Sequence, residues 1–119
     1  GRHKELDPGP GIGLARLRKE GFASLRSPAG GGFVVTKTLL SPGGRLWVNA
    51  DAAEGELQVR LTDYARTPLA GFASRPITGD GVRQEVCWDG GDTPVPAGRP
   101  LRLEFEMKGV VDLYSFGFA

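Results

Sequence analysis

The stretch Glu56-Leu57-Gln58-Val59-Arg60-Leu61-Thr62-Asp63 alternates apolar and polar residues without a break. Successive side chains of a β-strand point to opposite faces, so one face of this strand is apolar and the other is polar. Such a strand packs one face on a core and exposes the other to water, as is common in antiparallel sheets. Residues 101–108 repeat the alternation, which places Glu104 and Glu106 on a solvated face. The two stretches predict an antiparallel sheet.

Shorter apolar runs predict further strands over residues 12–18, 22–26, 33–40, 45–50, 82–88 and 111–118. Clusters of glycine and proline between these runs, such as residues 41–44 and 90–98, predict turns. A short amphipathic helix over residues 14–19 is the alternative at the N-terminus, and the nearby glycines disfavour it. Roughly seven to nine short strands without a strong helix predict an all-β fold, an antiparallel β-sandwich of the jelly-roll kind in a single domain.

The charge and cysteine content argue against several kinds of partner. The 119 residues carry 15 Lys and Arg against 14 Asp and Glu, and the two signs are interspersed. Because there is no block of like charge, we expect neither nucleic acid nor a membrane as a partner. The single cysteine, Cys87, cannot form an intrachain disulfide. The chain opens with Gly1 rather than Met, which predicts a piece of a longer protein.

Residues suited to catalysis are few. The only histidine, His3, lies in an irregular N-terminal stretch without a nucleophile-elbow motif, and a metal cluster needs more histidines and cysteines than the chain has. Paired carboxylates could hydrolyse a glycoside, but most Asp residues stand in predicted turns, where Asp commonly bonds to backbone amides. We therefore expect no enzyme, no catalytic residue, no bound metal and no cofactor. Asp51 with Glu54, or Asp89 with Asp92, leaves a structural calcium ion open.

Aromatic side chains are the remaining candidates for ligand binding. A sugar ring stacks its C–H face on an aromatic ring while polar groups bind its hydroxyls. Alternation places Trp47, Asn49 and Asp51 on one face of a strand, and Leu46 and Val48 on the other. If the two apolar residues face the core, the other three form an exposed row that could bind carbohydrate. In the opposite register Trp47 is a core residue, as large aromatic residues mostly are, and the asparagine is buried.

Further aromatic positions divide between surface and core. Tyr64 follows a strand end beside residues 65–67, a predicted hairpin tip, and is the second exposed candidate for sugar binding. Trp88 shares a strand face with Val86, which favours a core position. The last predicted strand contributes an aromatic core stripe, formed by Tyr114, Phe116 and Phe118.

One long run resembles a known family: Gly11-Ile12-Gly13-Leu14-Ala15-Arg16-Leu17-Arg18-Lys19-Glu20-Gly21-Phe22-Ala23-Ser24-Leu25. It is similar to the end of the catalytic domain in bacterial proteins related to the invertase and fructanase group. There, a last propeller strand of the form GLA-x-LRRDGF leads into a C-terminal β-sandwich. Segments that resemble this appended module follow at residues 46–51, 55–59, 71–72, 79–83, 88–91 and 113–116. The resemblance covers nearly the whole chain, and its motifs are structural.

The resemblance implies a division of the chain and a function. Residues 1–26 would be an N-terminal loop and leading strands that resemble the end of a preceding catalytic domain, and residues 27–119 would be the β-sandwich module. The catalytic acids of such hydrolases lie in the propeller, which has no counterpart here. In place of the Asp-Gly turn usual in the family's central hairpin, this sequence has Ala65-Arg66-Thr67.

The function implied is a non-catalytic accessory module that binds or positions a polysaccharide or oligosaccharide. The preceding catalytic domain of the same parent chain would be its second partner. The alternative is a structural domain that stabilises this neighbouring glycoside hydrolase domain without binding sugar, and an apolar patch around residues 12–25 would favour it. An extracellular or periplasmic location follows only if the parent is a secreted hydrolase.

Overall fold

The computed structural model describes residues 32–119 in full and, before them, the strand pairing of four short backbone segments. The described elements are ten strands: β1 (His3–Lys4), β2 (Leu6–Pro8), β3 (Leu17–Arg18), β4 (Leu25–Arg26), β5 (Gly32–Thr36), β6 (Leu39–Gly44), β7 (Leu46–Thr62), β8 (Pro68–Ala73), β9 (Asp80–Glu85) and β10 (Val95–Phe118). Every pairing between them is antiparallel. No described segment forms a helix long and apolar enough to cross a membrane. The predicted all-β fold is confirmed.

The two longest strands, β7 and β10, form the frame of the sandwich. They pair from Thr62 opposite Arg102 to Leu46 opposite Phe118. The main sheet has the order β2-β5-β10-β7-β8, and β9 pairs with the first half of β7. Residues 95–101 of β10 pair with β6, before its pairing with β7 begins. Residues 104–107 of β10 pair with β7 on one side and with β5 on the other. Because β10 changes partners along its length, it connects two sheets, as strands of a jelly roll do.

Two bulges determine which side chains face the core. Between Asp51 and Glu54, β7 has one more residue than the facing part of β10. An extra residue moves the alternation by one position, and the buried residues change from 46, 48, 50 and 52 to 57, 59 and 61. In β10 the extra residue is Tyr114, between Leu113 and Ser115. Leu113 and Phe116 are consequently both buried, although alternation alone would place them on opposite faces.

Beside the first bulge, β7 and β10 approach each other at a pair of glycines, Gly55 and Gly109. A Cβ atom on Gly55 would lie 2.4 Å from the carbonyl oxygen of Lys108 and 2.7 Å from that of Val110. Gly109 has a φ of 70°, in the left-handed region that glycine adopts without strain. Backbone geometry therefore requires glycine at both positions.

The apolar faces of both halves of the β7–β10 ladder meet in one core. Phe105 is the largest fully buried side chain, and its ring centroid lies 5.6 Å from that of Phe116. Trp88 is buried and packs edge-on against Phe72 at a centroid distance of 5.4 Å, which confirms its predicted core position. Of the predicted aromatic stripe, Phe116 is buried and Phe118 is half-buried against the core, whereas Tyr114 is the extra residue of the bulge and is half-buried.

The strand bounds differ from the sequence prediction where glycine and proline were read as turns. Residues 41–44 are the last four residues of β6: Gly43 and Gly44 have φ angles of 78° and 84°, while Pro42 and Gly44 pair with β10. The predicted turn over 90–98 ends early, at Val95, and residues 51–55 continue β7. The predicted strand over 33–40 breaks at residues 37–38, and that over 82–88 ends at Glu85.

Most of the predicted strands over 12–18 and 22–26 lies outside the described residues, which include only β3 and β4 from them. Most of residues 12–25, where an apolar patch would favour the structural alternative, lies outside them as well. Among the described segments, β2 pairs with β5 and β4 pairs with β10. The division of the chain after residue 26 stays a prediction.

Candidate functional site

The first half of β7 presents a row of polar and aromatic side chains on the sheet face opposite the core. Leu46 and Val48 are completely buried. Strand alternation therefore places Trp47, Asn49 and Asp51 together on the other face, where all three are half-buried. Of the two registers that the sequence allowed, the structure has the one with this row facing outward. Trp47 is not a core residue, and we call these three residues the Trp47 row.

The indole of Trp47 rests on the neighbouring strand. Gly117 of β10 pairs with Trp47, and a Cβ atom at Gly117 would lie 2.4 Å from the indole Cζ2 atom and 2.7 Å from Cε2. Only glycine leaves room for the ring at this position. The guanidinium carbon of Arg83 lies 5.0 Å from the ring centroid, which is a cation–π contact. The ring thus lies against the outer surface of the sheet, next to Gly117 and Arg83.

Polar residues follow Trp47 along β7 and on the strands paired with it. Asn49 pairs with Ser115 of β10, and Asp51 pairs with Asp112 on one side and Asp80 on the other. The Asp51 Oδ1 atom accepts a hydrogen bond of 3.1 Å from the backbone N–H of Ala53. Asp112 and Ser115 are themselves buried, so the accessible polar side chains along this edge are those of Asn49, Asp51 and Asp80, whose oxygens accept hydrogen bonds from hydroxyl groups.

An ion-pair network lies at the other end of the row. The guanidinium of Arg45 donates to both carboxylate oxygens of Asp92 and lies 3.7 Å from the carboxylate of Glu85. The hydrogen bond from Arg45 and its charge lower the pKa of Asp92, and the same contact raises the pKa of Arg45. These groups are exposed, so the network adds little to stability. It places one cationic and two anionic groups at this edge of the surface.

Tyr64 lies away from the Trp47 row. It follows the C-terminal end of β7, whereas Trp47 is near the N-terminal end of the same strand. Its side chain is 68% exposed, as predicted for a hairpin tip. In the turn, Asp63 Oδ1 accepts the N–H groups of Ala65 and Thr67 at 2.8 and 2.9 Å. Of the four predicted sugar-binding residues, the structure brings together three and leaves Tyr64 apart.

A second polar cluster was missed by the sequence reasoning. Glu104, expected on a solvated face, is 7% exposed. Its Oε1 atom accepts a hydrogen bond of 2.6 Å from Arg60 Nη2, and its Oε2 atom accepts one of 3.0 Å from Arg66 Nε. Burial alone raises the pKa of Glu104, but the hydrogen bonds and charges of the two arginines outweigh it and hold the pKa below its usual range. Arg66 lies in the turn after β7, 38 positions from Glu104 in the sequence. Strand alternation describes only neighbouring residues, so it gave no signal of this contact.

The carboxylates considered for calcium do not converge. Within residues 32–119, no three His, Cys, Asp or Glu side chains are grouped so that they could hold a metal ion. Asp92 instead pairs with Arg45, and Asp51 accepts a backbone hydrogen bond. Among the described residues, the carboxylates for which the sequence left a structural calcium ion open therefore form no group of three or more that could hold it.

The fold and this surface define an all-β jelly-roll sandwich that carries an aromatic and polar row on one outer face. No protein-family model matches the chain, and no curated protein matches it. Among solved structures, it is similar to a family two carbohydrate esterase from Clostridium thermocellum in complex with cellohexaose, with 13% identity and a TM-score of 0.55. An active-site mutant of a family two carbohydrate esterase from the same organism gives 13% identity and a TM-score of 0.56.

The two matches cover 96% and 98% of this chain and 31% of each esterase chain. The chain therefore spans less than a third of the length of these carbohydrate-active proteins. At this identity the similarity shows a shared fold. A parent protein with an invertase-like propeller stays a prediction.

Proposed function

We propose that this chain is a non-catalytic accessory domain of a carbohydrate-active protein and that it binds a polysaccharide on the Trp47 row. The observation that carries the proposal is the position of the Trp47 indole, fixed on Gly117 at the outer face of the sheet beside Asn49 and Asp51. The ring offers a stacking surface for a pyranose, and the amide and carboxylate offer hydrogen-bond partners for its hydroxyls. The shared fold with a carbohydrate esterase supports this context.

Arg83 has to be accommodated in this binding mode, because its guanidinium lies over the ring. The side chain is exposed. A cation–π contact at an exposed site contributes only about 0.5–1 kcal/mol. A sugar that stacks on the indole can therefore displace the guanidinium at small cost, and the displaced group can then donate to a sugar hydroxyl. Arg83 thus acts as a movable cover of the stacking surface.

The accessory role is supported by the length of the esterases relative to the region that matches this chain. The esterases that share the fold are more than three times as long as the matched region, since that region covers 31% of their chains. A sandwich of this size is therefore one part of a larger enzyme in those proteins. By analogy, we infer that a separate domain of the parent chain carries out the reaction and that this domain holds the polysaccharide near it.

A purely structural domain is the second candidate. The contacts of Trp47 with Gly117 and Arg83 favour it, because they already give the indole a packing role without any ligand. In this case the domain stabilises a neighbouring catalytic domain and binds no sugar. The two candidates differ in one property, which is whether the isolated chain binds a glycan.

The deciding experiment is a calorimetric titration of the chain with each of four hexasaccharides: cello-, xylo-, manno- and laminari-hexaose. We expect one of them to bind, and Trp47→Ala to weaken that binding by about 30-fold, the effect of losing a central aromatic contact of roughly 2 kcal/mol. Trp47→Phe keeps a smaller ring and should retain part of the affinity. Tyr64→Ala is the matched control at the other end of β7 and should bind as the unchanged chain does. If no hexaose binds to the folded chain, the structural candidate replaces the binding one.

A further inference from the structure

A cleft of about 220 Å³ lies on the outer face of the other half of the β7–β10 ladder. The residues that line it are Phe33, Arg60, Arg66, Glu104, Phe105 and Glu106. Strand register builds it: Phe33 of β5 pairs with Glu106 of β10, and Glu104 of β10 pairs with Arg60 of β7. Arg66 reaches it from the turn after β7. The volume is below the roughly 300 Å³ of the smallest typical ligand pockets, which suits one sugar-sized group.

The two guanidinium groups in the cleft are held in place from below. Each carboxylate oxygen of the buried Glu104 accepts one hydrogen bond, from Arg60 Nη2 and from Arg66 Nε. A guanidinium has several further N–H donors, and these two side chains are 53% and 49% exposed. Fixed donors bind a ligand better than mobile ones because less side-chain entropy is lost on binding. The cluster is therefore a preorganised set of cationic donors open to solvent.

The backbone of Arg66 indicates that its side chain is needed there. Its φ of 69° lies in the left-handed region, and no other described residue apart from glycine has a positive φ. This conformation is unfavourable for a residue with a Cβ atom, whereas glycine adopts it without strain and asparagine tolerates it better. An outlier of this kind is a reason to look for a function. The strained turn places the Arg66 guanidinium both against Glu104 and 5.9 Å from the centre of the Phe33 ring.

Charge and shape together specify the ligand. Two arginines and one glutamate leave one positive charge inside the cleft, and Glu106 adds a negative charge at its exposed rim. Phe33 is a half-buried apolar wall beside the donors. We infer that the cleft binds a uronic acid unit of an acidic saccharide. The carboxylate accepts hydrogen bonds from Arg60 and Arg66, and the C–H face of the ring lies against Phe33. This site is separate from the Trp47 row and does not depend on it.

The test is a titration of the ¹⁵N-labelled chain with sodium galacturonate, with galactose as the neutral match and inorganic phosphate as the bare anion. We expect galacturonate to bind more tightly than either and to shift the amide resonances of β5, β10 and the turn at Arg66. Arg66→Asn tolerates the left-handed backbone and leaves Arg60 to pair with Glu104, so it should fold. It should weaken galacturonate binding about tenfold or more, since it removes a charge-assisted contact. Arg99→Asn removes the same charge from an exposed position outside the cleft and should have no effect.

Glu106→Gln should change galacturonate affinity in the opposite direction to Arg66→Asn. Removing the negative charge at the rim should strengthen galacturonate binding by about threefold and leave galactose unaffected. Trp47→Ala should not change galacturonate binding, so the outcome here is independent of the function proposed above. The inference is overturned if galacturonate shifts none of the cleft resonances, or if Arg99→Asn weakens binding as much as Arg66→Asn. Phosphate binding as tightly as galacturonate would also overturn it, because the sugar ring would then contribute nothing.

Discussion

The double substitution Arg60→Gln with Arg66→Asn should lower the free energy of unfolding at pH 7 by about 2–4 kcal/mol. Removing one side of a buried ion pair commonly costs roughly 3–5 kcal/mol because a charge is left buried without a partner. The two arginines are half-exposed, so water screens part of the interaction and the expected loss is smaller than for a fully buried pair. Glu104 itself is 7% exposed and has few ways to regain hydration. Urea unfolding of the two proteins measures the difference.

The pH dependence of stability should change direction in that double variant. In the unchanged chain the pKa of Glu104 lies below its unfolded value of about 4.3, so its contribution is present above that pH and is lost as the pH falls through the lower folded pKa. Without the arginines, burial raises the pKa above the unfolded value, and lowering the pH from 7 toward 5 should stabilise the variant. Adding Glu104→Gln should recover most of the lost stability at pH 7. A double variant as stable as the unchanged chain, with the same pH profile, would mean that Glu104 is solvated.

Gly55→Ala should destabilise the domain by about 3 kcal/mol. The new methyl group would meet the carbonyl oxygens of Lys108 and Val110 on the paired strand, and both atoms belong to the backbone of the central ladder. Overpacking commonly costs roughly 1–3 kcal/mol, and the upper end applies where the neighbours cannot move. The same atoms lie beside the bulge that moves the buried face of β7 from even to odd positions, so relief of the clash would disturb the core as well.

Gly79→Ala is the matched control for this substitution. Gly79 is exposed, and the nearest atom to a Cβ there is the side-chain Oε1 of Gln84, at 3.3 Å, which can move. We expect a change within about 0.5 kcal/mol, as for most surface substitutions. Thermal or urea unfolding of both variants makes the comparison. Equal stability of Gly55→Ala and Gly79→Ala would contradict the close approach of β7 and β10 at this point.

Local alternation predicted the parts of the fold that depend on neighbouring residues. The apolar faces of residues 57–61 and 101–107 were predicted correctly because burial in a strand repeats every second residue, but Glu104, expected on the solvated face of the second stretch, is buried as well. The bulges at residues 51–54 and at Tyr114 were not predicted, since an extra residue is defined only relative to the paired strand. The glycines at 43 and 44 were taken as a turn, but their conformational freedom also allows them to lie inside a strand.

The candidate site was predicted only in part, because alternation describes neighbouring residues on one strand and not the contacts between strands. Alternation grouped Trp47, Asn49 and Asp51 on one face, and it could not decide whether that face is inside or outside. The contact of Trp47 with Gly117 joins positions far apart in the sequence, and so does the pairing of Glu104 with Arg66. Such contacts depend on which strands are neighbours, and the sequence left the strand order open. The exposure of Tyr64 at a hairpin tip was predicted because turn signals are local.

The indole N–H resonances of the ¹⁵N-labelled chain test the binding of carbohydrate at the Trp47 row most directly. The chain has two tryptophans, and they differ in environment: Trp88 is packed on Phe72 in the core, and Trp47 lies half-buried on the outer face. Trp47→Phe assigns the two signals. On titration with the four hexaoses, at least one should move the Trp47 signal while the Trp88 signal stays in place. If none of the four moves the Trp47 signal, or if a hexaose binds and leaves it unchanged, the Trp47 row is not a carbohydrate-binding surface.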